Sequence, residues 1–251
     1  MDSRRVRVLP LEDDLIQVWV AHLNCSAAEL AAFESVLAAD EHKRAAKFVF
    51  TRDRHAYTAA RGMLRHILAQ YTGFGPEELV FETNRYGKPF LHPDFGGTWL
   101  HFNVSHSGRL ALYAIRAKGE VGVDIEQMRP LDDLQTVAEN TFSRAENMDL
   151  QSVPAQQYEE AFFTCWTRKE AFIKAIGQGL SFALQDFDVT LCPGEPARIR
   201  RIRGAEPGGW SLFDLRPAAG YVAAVAVPAP TSIIQWGWWS PVQNSMFQNQ
   251  R

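Results

Sequence analysis

The sequence is poor in cysteine, with only three among its 251 residues, at positions 25, 165 and 192. Thiols so few and so widely spaced exclude a disulfide framework and a zinc knuckle, because both need several cysteines at short, regular spacings. A chain without disulfides suits a reducing compartment. We therefore expect a cytoplasmic protein.

Long apolar runs and an excess of positive charge are also missing. No stretch reaches the roughly 18 or more consecutive apolar residues of a membrane span. Three acidic residues at positions 12–14 stand where a signal peptide would need its apolar segment. The formal net charge is −3, so no global positive field attracts nucleic acid. We expect neither a membrane nor a nucleic acid as a partner.

Two long helical patterns are present instead. Residues 54–71 place apolar side chains at helical spacing before Gly73, and residues 161–176 form a second pattern of this kind. Ser26 and Glu29 form a capping box, which predicts a helix over residues 26–39. Short strands are predicted at residues 6–8 and 16–20.

The two long helices are followed by similar series of segments. Each precedes a strand and a turn, and then two further strands. The segments WLHFNV and SGRLALYAI of the first series correspond to WSLFDL and AGYVAAVAV of the second. Chance similarity would explain each pair alone, but not their shared order. The sequence therefore predicts an α+β fold of two similar α/β halves, residues 1–118 and 119–231, followed by a tail at residues 232–251.

A pair of carboxylates lies in the segment VGVDIE, residues 121–126. If this segment is a strand, its alternate apolar residues face the core, and Asp124 and Glu126 project together from the opposite face. Adjacent like charges repel, and Mg2+, which prefers oxygen ligands, would relieve the repulsion. Gly122 beside them would leave room for a ligand. The alternative is an ordinary solvated strand face.

The second long helix adds a third carboxylate. Glu170 and Lys174 are four residues apart, so they are neighbours on its surface. An ordinary stabilising pair worth about 0.2–0.5 kcal/mol is one interpretation. The other is that a carboxylate and a lysine beside a metal ion bind a phosphorylated substrate.

Two polar segments could contact an anion. Ser105, His106 and Ser107 precede Gly108 in a predicted turn between two strands, and such turns form anion-binding concavities. A simple hairpin is the alternative, and a serine nucleophile is a third interpretation, although the motif GxSxG is absent. A second turn, YGKP at residues 86–89, presents one lysine.

Taken in order, the segments YGKP, FNVSHSG, GVDIE and WTRKEAFIKAIGQGL resemble the 4'-phosphopantetheinyl transferases of the two-domain, surfactin-synthetase-activating type. The resemblance runs from about residue 40 to about residue 227. It implies two halves related by pseudo-twofold symmetry, with coenzyme A bound in the cleft between them. The match is looser near the N-terminus, where Arg44 aligns but Glu41 stands where some relatives carry a lysine.

The resemblance also implies roles for individual residues. Asp124, Glu126 and Glu170 would hold Mg2+, or Mn2+ in its place. Glu170, Lys174 and His106 would be catalytic. The residues implied in coenzyme A binding are Arg44, Arg61, Tyr86, Gly87, Lys88, Pro89, Ser105, His106 and Lys174.

The implied reaction is that of a holo-[acyl-carrier-protein] synthase type transferase. It moves the 4'-phosphopantetheine group from coenzyme A to a serine of an apo acyl or peptidyl carrier protein and releases adenosine 3',5'-bisphosphate. Carrier docking is expected at Phe142 or the segment after it, and the cleft needs no second subunit, so we expect a monomer. The alternatives are another Mg2+-dependent phosphodiesterase that cleaves a pyrophosphate, and a non-catalytic coenzyme A-binding module.

Overall fold

The computed structural model describes residues 9–130, 133–229, 232–241 and 248–250, so the strand predicted at residues 6–8 lies outside the described part of the chain. Within it, helices and strands form a mixed α/β arrangement. None of the helices in these ranges combines the length and the apolar character that crossing a bilayer requires.

The first half contains the predicted long helix and the predicted capping box. Ser26 Oγ accepts a hydrogen bond from the backbone N–H of Glu29, and the Glu29 carboxylate accepts one from the N–H of Ser26. The elements are β1 (Leu15–His22), α1 (Ala27–Ser35), α2 (Ala39–Ala45), α3 (Thr51–Thr72), β2 (Phe81–Thr83), β3 (Pro89–Leu91), β4 (His101–Ser107) and β5 (Leu110–Arg116). The sequence pattern does not predict helix α2, which is only seven residues long.

The second half contains elements of the same kinds in the same order. Its long helix confirms the prediction at residues 161–176 and ends at Gly177, whose φ of 69° favours glycine. The elements are β6 (Gly122–Gln127), α4 (Leu134–Thr141), α5 (Arg144–Ser152), α6 (Tyr158–Ile176), β7 (Phe187–Val189), β8 (Ile199–Ile202), β9 (Ser211–Leu215) and β10 (Tyr221–Val227).

Each half builds its main sheet by the same pairing. In the first, β5 lies between β1 and β4, and in the second, β10 lies between β6 and β9; all four pairings are antiparallel. Strand β11 (Ile233–Trp238), from the predicted tail, pairs in parallel with β1, and β12 (Gln248–Gln250) pairs with β11. The tail therefore extends the sheet of the first half.

The two main sheets pack against each other through a shared apolar layer. Val18 of β1 and Leu112 of β5 belong to the same buried cluster as Val123 of β6 and Val225 of β10. The apolar side of β6 is thus core, as its alternation predicts. Helix α3 packs on the outer face of the first sheet, and α6 packs on the outer face of the second. The polar side of β6 therefore faces α6.

Candidate active site

The two carboxylates of β6 are each held by a serine of β4. Ser105 Oγ donates to Asp124 Oδ1 at 2.9 Å, and Ser107 Oγ donates to Glu126 Oε2 at 2.7 Å. Both pairs are 19 residues apart in the chain. The sequence carried a signal for this match, because two residues at i and i+2 on one strand can face two at i and i+2 on another.

The segment that contains these serines is a strand, and the prediction of a turn at Ser105, His106 and Ser107 was wrong. Their backbone groups belong to the β4–β5 ladder, in which Ser105 is opposite Leu112 and Ser107 is opposite Leu110. The turn itself begins only at Gly108, with a φ of 56°. Since side chains alternate along a strand, the two serines face β6, and His106 points to the other side.

Gly122 serves packing and does not leave space for a ligand. A side chain there would meet the carbonyl oxygen of Ala171 at 2.0 Å and the backbone nitrogen of Ala175 at 2.3 Å. Helix α6 thus lies directly against the polar side of β6. This close approach brings the side chains of α6 to the carboxylates.

Lys174 of α6 connects the two strands. Its Nζ donates to Asp124 Oδ1 at 2.6 Å and to Ser105 Oγ at 3.0 Å. The exposed fraction of Asp124 is only 4%. One turn back along α6, Glu170 is close enough to the β6 carboxylates for their charges to affect it. The structure therefore brings Asp124, Glu126, Glu170 and Lys174 together.

The three carboxylates resist ionisation. Burial raises the pKa of Asp124. For Glu126, burial and then the charge of Asp124 raise the pKa, although the Ser107 hydrogen bond opposes the shift. Burial, followed by the charges of Asp124 and Glu126, raises the pKa of Glu170. Like charges gathered in a partly buried place are the electrostatic condition that a cation relieves.

The donor set suits a hard cation. Asp124 Oδ2 is buried and has no hydrogen-bond partner, so one oxygen is available to a ligand. Across the residues that the structure describes, no group of three or more His, Cys, Asp or Glu side chains is arranged so that it could hold a metal ion. Mg2+ usually takes one or two protein carboxylates and completes its shell with water and substrate phosphate. The carboxylates of β6 match that requirement.

Two neighbouring cations on α6 anchor the helix, and sequence reasoning missed their roles. Lys169 is fully buried and donates to both oxygens of Glu146 on α5, each at 2.7 Å, and to the carbonyl oxygen of Phe187 at 2.7 Å. Arg168 pairs with Asp214 of β9 and donates to Thr190 Oγ1 at 2.9 Å. Fixed in this way on both sides, the helix presents Glu170 to the β6 carboxylates.

A cleft of about 470 Å³ lies between α2, α3, the β2–β3 hairpin and β4. Of the residues predicted to bind coenzyme A, five line it, namely Arg44, Arg61, Gly87, Pro89 and His106. The walls of the cleft desolvate His106, and the Lys174 ammonium repels added charge, so the pKa of His106 is lowered. His106 nevertheless remains accessible to solvent. Its neutral form is therefore favoured near neutral pH.

The other residues of the YGKP turn point elsewhere. The Tyr86 side chain is 41% exposed and does not line the cleft. Lys88 Nζ pairs with Glu120 and donates to the carbonyl oxygens of Val121 at 3.2 Å and Ala175 at 3.3 Å. Lys88 thus links the two halves beside the carboxylate site. Its contact with phosphate stays a prediction.

A buried ion-pair cluster forms one wall of the cleft. Glu41 pairs with Arg61 and with Arg65, whose Nε donates to Glu41 Oε2 at 2.7 Å. The guanidinium of Arg61 also lies 3.9 Å from the centroid of the Phe81 ring. Glu41 therefore holds Arg61 at the cleft wall. The position of Phe142 is a further correction, because its side chain is 1% exposed and cannot dock a carrier, whereas docking at the segment after it stays a prediction.

Comparison with known proteins gives one consistent family. The model of the 4'-phosphopantetheinyl transferase superfamily matches residues 120–226, and that of the 4'-phosphopantetheinyl transferase N-terminal domain matches residues 21–118. The 4'-phosphopantetheinyl transferase HetI of Nostoc sp. (strain PCC 7120) is 38% identical over 87% of this chain and 90% of its own length. The transferase psf-1 of Bacillus pumilus is 32% identical over 90% of both chains. Sfp of Bacillus subtilis (strain 168) is 29% identical over 82% of this chain and 88% of its own.

These relatives cover most of the chain, and the two family models together match residues 21–118 and 120–226. The motifs that carried the resemblance lie within the matched ranges, including both β6 carboxylates and the Glu170 and Lys174 pair. The chain therefore belongs to the 4'-phosphopantetheinyl transferase superfamily and is a transferase of the Sfp type.

Proposed function

We propose that this transferase moves the 4'-phosphopantetheine group from coenzyme A to a serine hydroxyl of an apo acyl or peptidyl carrier protein. The observation that carries the proposal is the convergence of Asp124, Glu126, Glu170 and Lys174 beside a cleft lined by Arg44 and other cationic or polar groups. Phosphoryl transfer needs a site of this kind, with cations for the phosphates and a base for the attacking hydroxyl.

Asp124, Glu126 and Glu170 would hold Mg2+, or Mn2+ in its place. The unpaired Oδ2 of Asp124 and the raised pKa values of all three carboxylates support this assignment. Because no three such side chains among the described residues are already at ligand spacing, the Glu170 side chain would have to move toward the β6 carboxylates when the ion binds. When bound, the ion supplies Lewis-acid stabilisation of the charge that develops on the phosphates.

In the proposed reaction, each remaining role belongs to a side chain of the site. The carrier serine oxygen attacks the phosphorus that bears pantetheine, and the bond from that phosphorus to the bridging pyrophosphate oxygen breaks. Glu170, or a water that it orients, accepts the serine proton. Lys174 and the neutral imidazole of His106 donate to the oxygens of the leaving adenosine 3',5'-bisphosphate. Arg44 and Arg61 hold the nucleotide in the cleft.

We further propose that the halves, residues 1–118 and 119–231, are related by pseudo-twofold symmetry, with residues 232–251 as an added tail. The same order of strand, two short helices, long helix, hairpin and strand pair in both halves supports this relation. A holo-[acyl-carrier-protein] synthase type reaction, a monomeric state and a cytoplasmic location belong to the same proposal. The relatives above are named as transferases, which favours transfer over pyrophosphate hydrolysis or binding alone.

A transfer assay tests the proposal. The protein is incubated with coenzyme A and an apo carrier protein, with and without Mg2+, and the carrier is weighed by mass spectrometry. We expect a gain of one phosphopantetheine group that requires the ion. Asp124→Ala should abolish the gain while circular dichroism stays unchanged, and Asp94→Ala, at a carboxylate that is 82% exposed, should transfer normally. Full activity in folded Asp124→Ala protein would reject the role of this carboxylate.

A further inference from the structure

The loop between α2 and α3 carries an apolar patch, residues 48–50. The exposed fractions of its side chains are 37% for Phe48, 89% for Val49 and 68% for Phe50. Val49 and Phe50 are the two most exposed large apolar side chains among the described residues. Apolar and aromatic side chains grouped on a surface mark places where another molecule binds.

The needs of folding do not account for this patch. Phe50 occupies the N-cap of α3, and no side-chain hydrogen bond caps the helix there. Ser, Thr, Asp or Asn at that position would satisfy a backbone N–H of the first turn, whereas Phe cannot. The sequence thus has an exposed aromatic ring where a capping residue would stabilise the helix.

The surroundings of the patch are strongly basic. Residues 43–54 contain five Lys or Arg and one Asp, a local net charge of +4 in a chain whose net charge is −3. Among the described residues, the only ion pair that involves this segment joins Arg52 to Asp53, both of which belong to the segment. No carboxylate of the described residues forms an ion pair with Lys43, Arg44, Lys47 or Arg54, although Arg44 lies over the Tyr57 ring. A partner that uses both features of this surface would be acidic and would offer an apolar contact.

The patch borders the cleft that is proposed to bind coenzyme A. The Phe48 ring lies 5.4 Å from the ring of Tyr57, and the Arg44 guanidinium lies 5.6 Å from the same ring. Arg44 and Tyr57 both line the cleft. A macromolecule seated on the patch would thus lie at the cleft mouth.

We propose that the apolar patch and its basic rim dock an acidic, apolar-tipped surface of the apo carrier protein, an inference that rests on the proposed function. The carrier is the macromolecule that the reaction requires, and its serine must reach the cleft. The apolar side chains would supply contact at the centre, and the rim would attract the carrier through its charge. Docking was predicted at Phe142 or the segment after it; Phe142 is buried, and the present proposal places docking in the first half instead of that segment.

An anionic membrane is the other surface that apolar and basic side chains can bind. Interfacial binding usually uses an amphipathic helix with a long apolar face. Here the apolar residues form a three-residue loop, and the rim adjoins a substrate cleft. These features favour the carrier.

The test compares the same substitution at two exposed valines of the first half. Val49→Asp places a charge in the patch, and Val80→Asp, at a valine that is 44% exposed, is the matched control. With an apo acyl carrier protein that the wild-type enzyme modifies, Val49→Asp should raise KM for the carrier about tenfold, as expected of an interface anchor. KM for coenzyme A should not change. In Val80→Asp both constants should stay at the wild-type values.

Phe50→Asp separates docking from stability. Because Asp is a good N-cap, this variant should be at least as thermostable as the wild type, and KM for the carrier should still rise. Raising the salt concentration should increase the wild-type KM for the carrier more than that of a Lys47→Glu variant, since the rim acts through screened charge.

Several results would overturn the docking proposal. An unchanged KM for the carrier in Val49→Asp and Phe50→Asp is one, and an equal rise in Val80→Asp is another. A rise only in Met148→Asp, at the exposed methionine of α5, would move docking to the second half. Sedimentation with vesicles of phosphatidylcholine and phosphatidylserine that Val49→Asp abolishes, with KM unchanged, would assign the patch to a membrane. Absence of transfer by the wild-type enzyme to any apo carrier would instead reject the proposed function.

Discussion

The two long helices are anchored alike, although only one carries the proposed catalytic groups. In the first half, Glu41 of α2 accepts from the backbone N–H of Ala38 at 2.8 Å and from Arg65 Nε of α3 at 2.7 Å. Arg65 also donates to the carbonyl oxygen of Leu79 at 2.9 Å, just before the following hairpin. A short helix, a long helix and a hairpin are thus joined through one buried carboxylate.

The second half repeats these connections with different side chains. Glu146 of α5 accepts from the backbone N–H of Ser143 at 2.9 Å and from Lys169 of α6 at 2.7 Å. Lys169 in turn reaches the carbonyl oxygen of Phe187, where the hairpin begins. In both halves the carboxylate is the third residue of its short helix.

The halves differ in the residue that follows the buried cation. His66 follows Arg65 and packs near the Phe33 and Trp239 rings, whereas Glu170 follows Lys169 and faces the carboxylates of β6. The buried pairs therefore form a framework that both halves share, whereas the proposed catalytic groups lie on only one of the two long helices. Substitutions at framework positions should affect stability, and substitutions at the following residue should affect activity in the second half alone.

The largest effect is expected from breaking the framework of the second half. Lys169→Met leaves Glu146 buried without its cation, which should cost about 3–5 kcal/mol of unfolding free energy. Arg65→Met should cost less, because Glu41 keeps its pair with Arg61. Urea unfolding monitored by circular dichroism measures both. The reverse order of the two losses would mean that the Glu146 pair is not the principal anchor of α6.

The second largest effect should distinguish residues that stabilise the fold from residues that take part in the reaction. Glu170→Gln removes the proposed base and should lower kcat about a hundredfold or more, with little change in unfolding free energy. His66→Gln, at the corresponding place on α3, should leave kcat near the wild-type value. Steady-state transfer to an apo carrier measures both rates. Equal losses of kcat in the two variants would show that the residue after the buried cation affects activity through packing of its helix.

Local patterns in the sequence were sufficient for the long helices, the capping box and the alternation of β6. Each of these depends on neighbours close in the chain, such as Ser26 and Glu29 or the apolar residues of β6. The shared side of Asp124 and Glu126 followed because side chains alternate along a strand, and their role as metal ligands stays a prediction. The order of segments also predicted the repeated order of strands and helices that the structure has.

Contacts between distant segments explain what the sequence did not reveal. Ser105 and Ser107 resemble turn residues, yet their strand is set by pairing with β5, so tertiary context outweighed their local preference. Gly122 was predicted to leave space for a ligand, because the residues next to it in the sequence do not indicate how closely α6 approaches. The sequence around Lys169 did not indicate that this side chain is buried, because its partner Glu146 is 23 residues away in the chain.

A smaller effect is expected from substitution of Ser107, where strand β4 of the first half contacts the carboxylates of β6. Ser107 donates to Glu126 Oε2 and accepts from the backbone N–H of Gln127 at 3.1 Å, so it orients this carboxylate. Ser107→Ala should weaken Mn2+ binding by about 10–100-fold, the usual range for residues that support a metal ligand. Ser107→Thr keeps the hydroxyl and should bind nearly as well. Titration of the metal-free protein by electron paramagnetic resonance measures both, and equal affinities for Ala and wild type would reject the role of Ser107.

The smallest effect is a difference in pH dependence between the halves. A carboxyl group with a raised pKa keeps its proton in the folded chain at pH values where the unfolded chain has lost it. The raised pKa values of Asp124, Glu126 and Glu170 should therefore make the unfolding free energy fall as pH rises above about 4, the usual carboxylate range. In the first half, desolvation lowers the pKa of His66, so its contribution has the opposite sign, and stability is lost as pH falls through about 6.5.

Unfolding free energies of the metal-free protein, measured across this range, can separate the two contributions. Asp124→Asn removes one raised carboxylate and should gain stability over wild type as pH rises, whereas His66→Gln should gain over wild type as pH falls. Mg2+ should remove most of the advantage of Asp124→Asn, because a cation stabilises the charged carboxylates that the variant lacks. An advantage of Asp124→Asn that does not change with pH would mean that the Lys174 ammonium already compensates the charge of Asp124, and that α6 holds this carboxylate ionised without a metal ion.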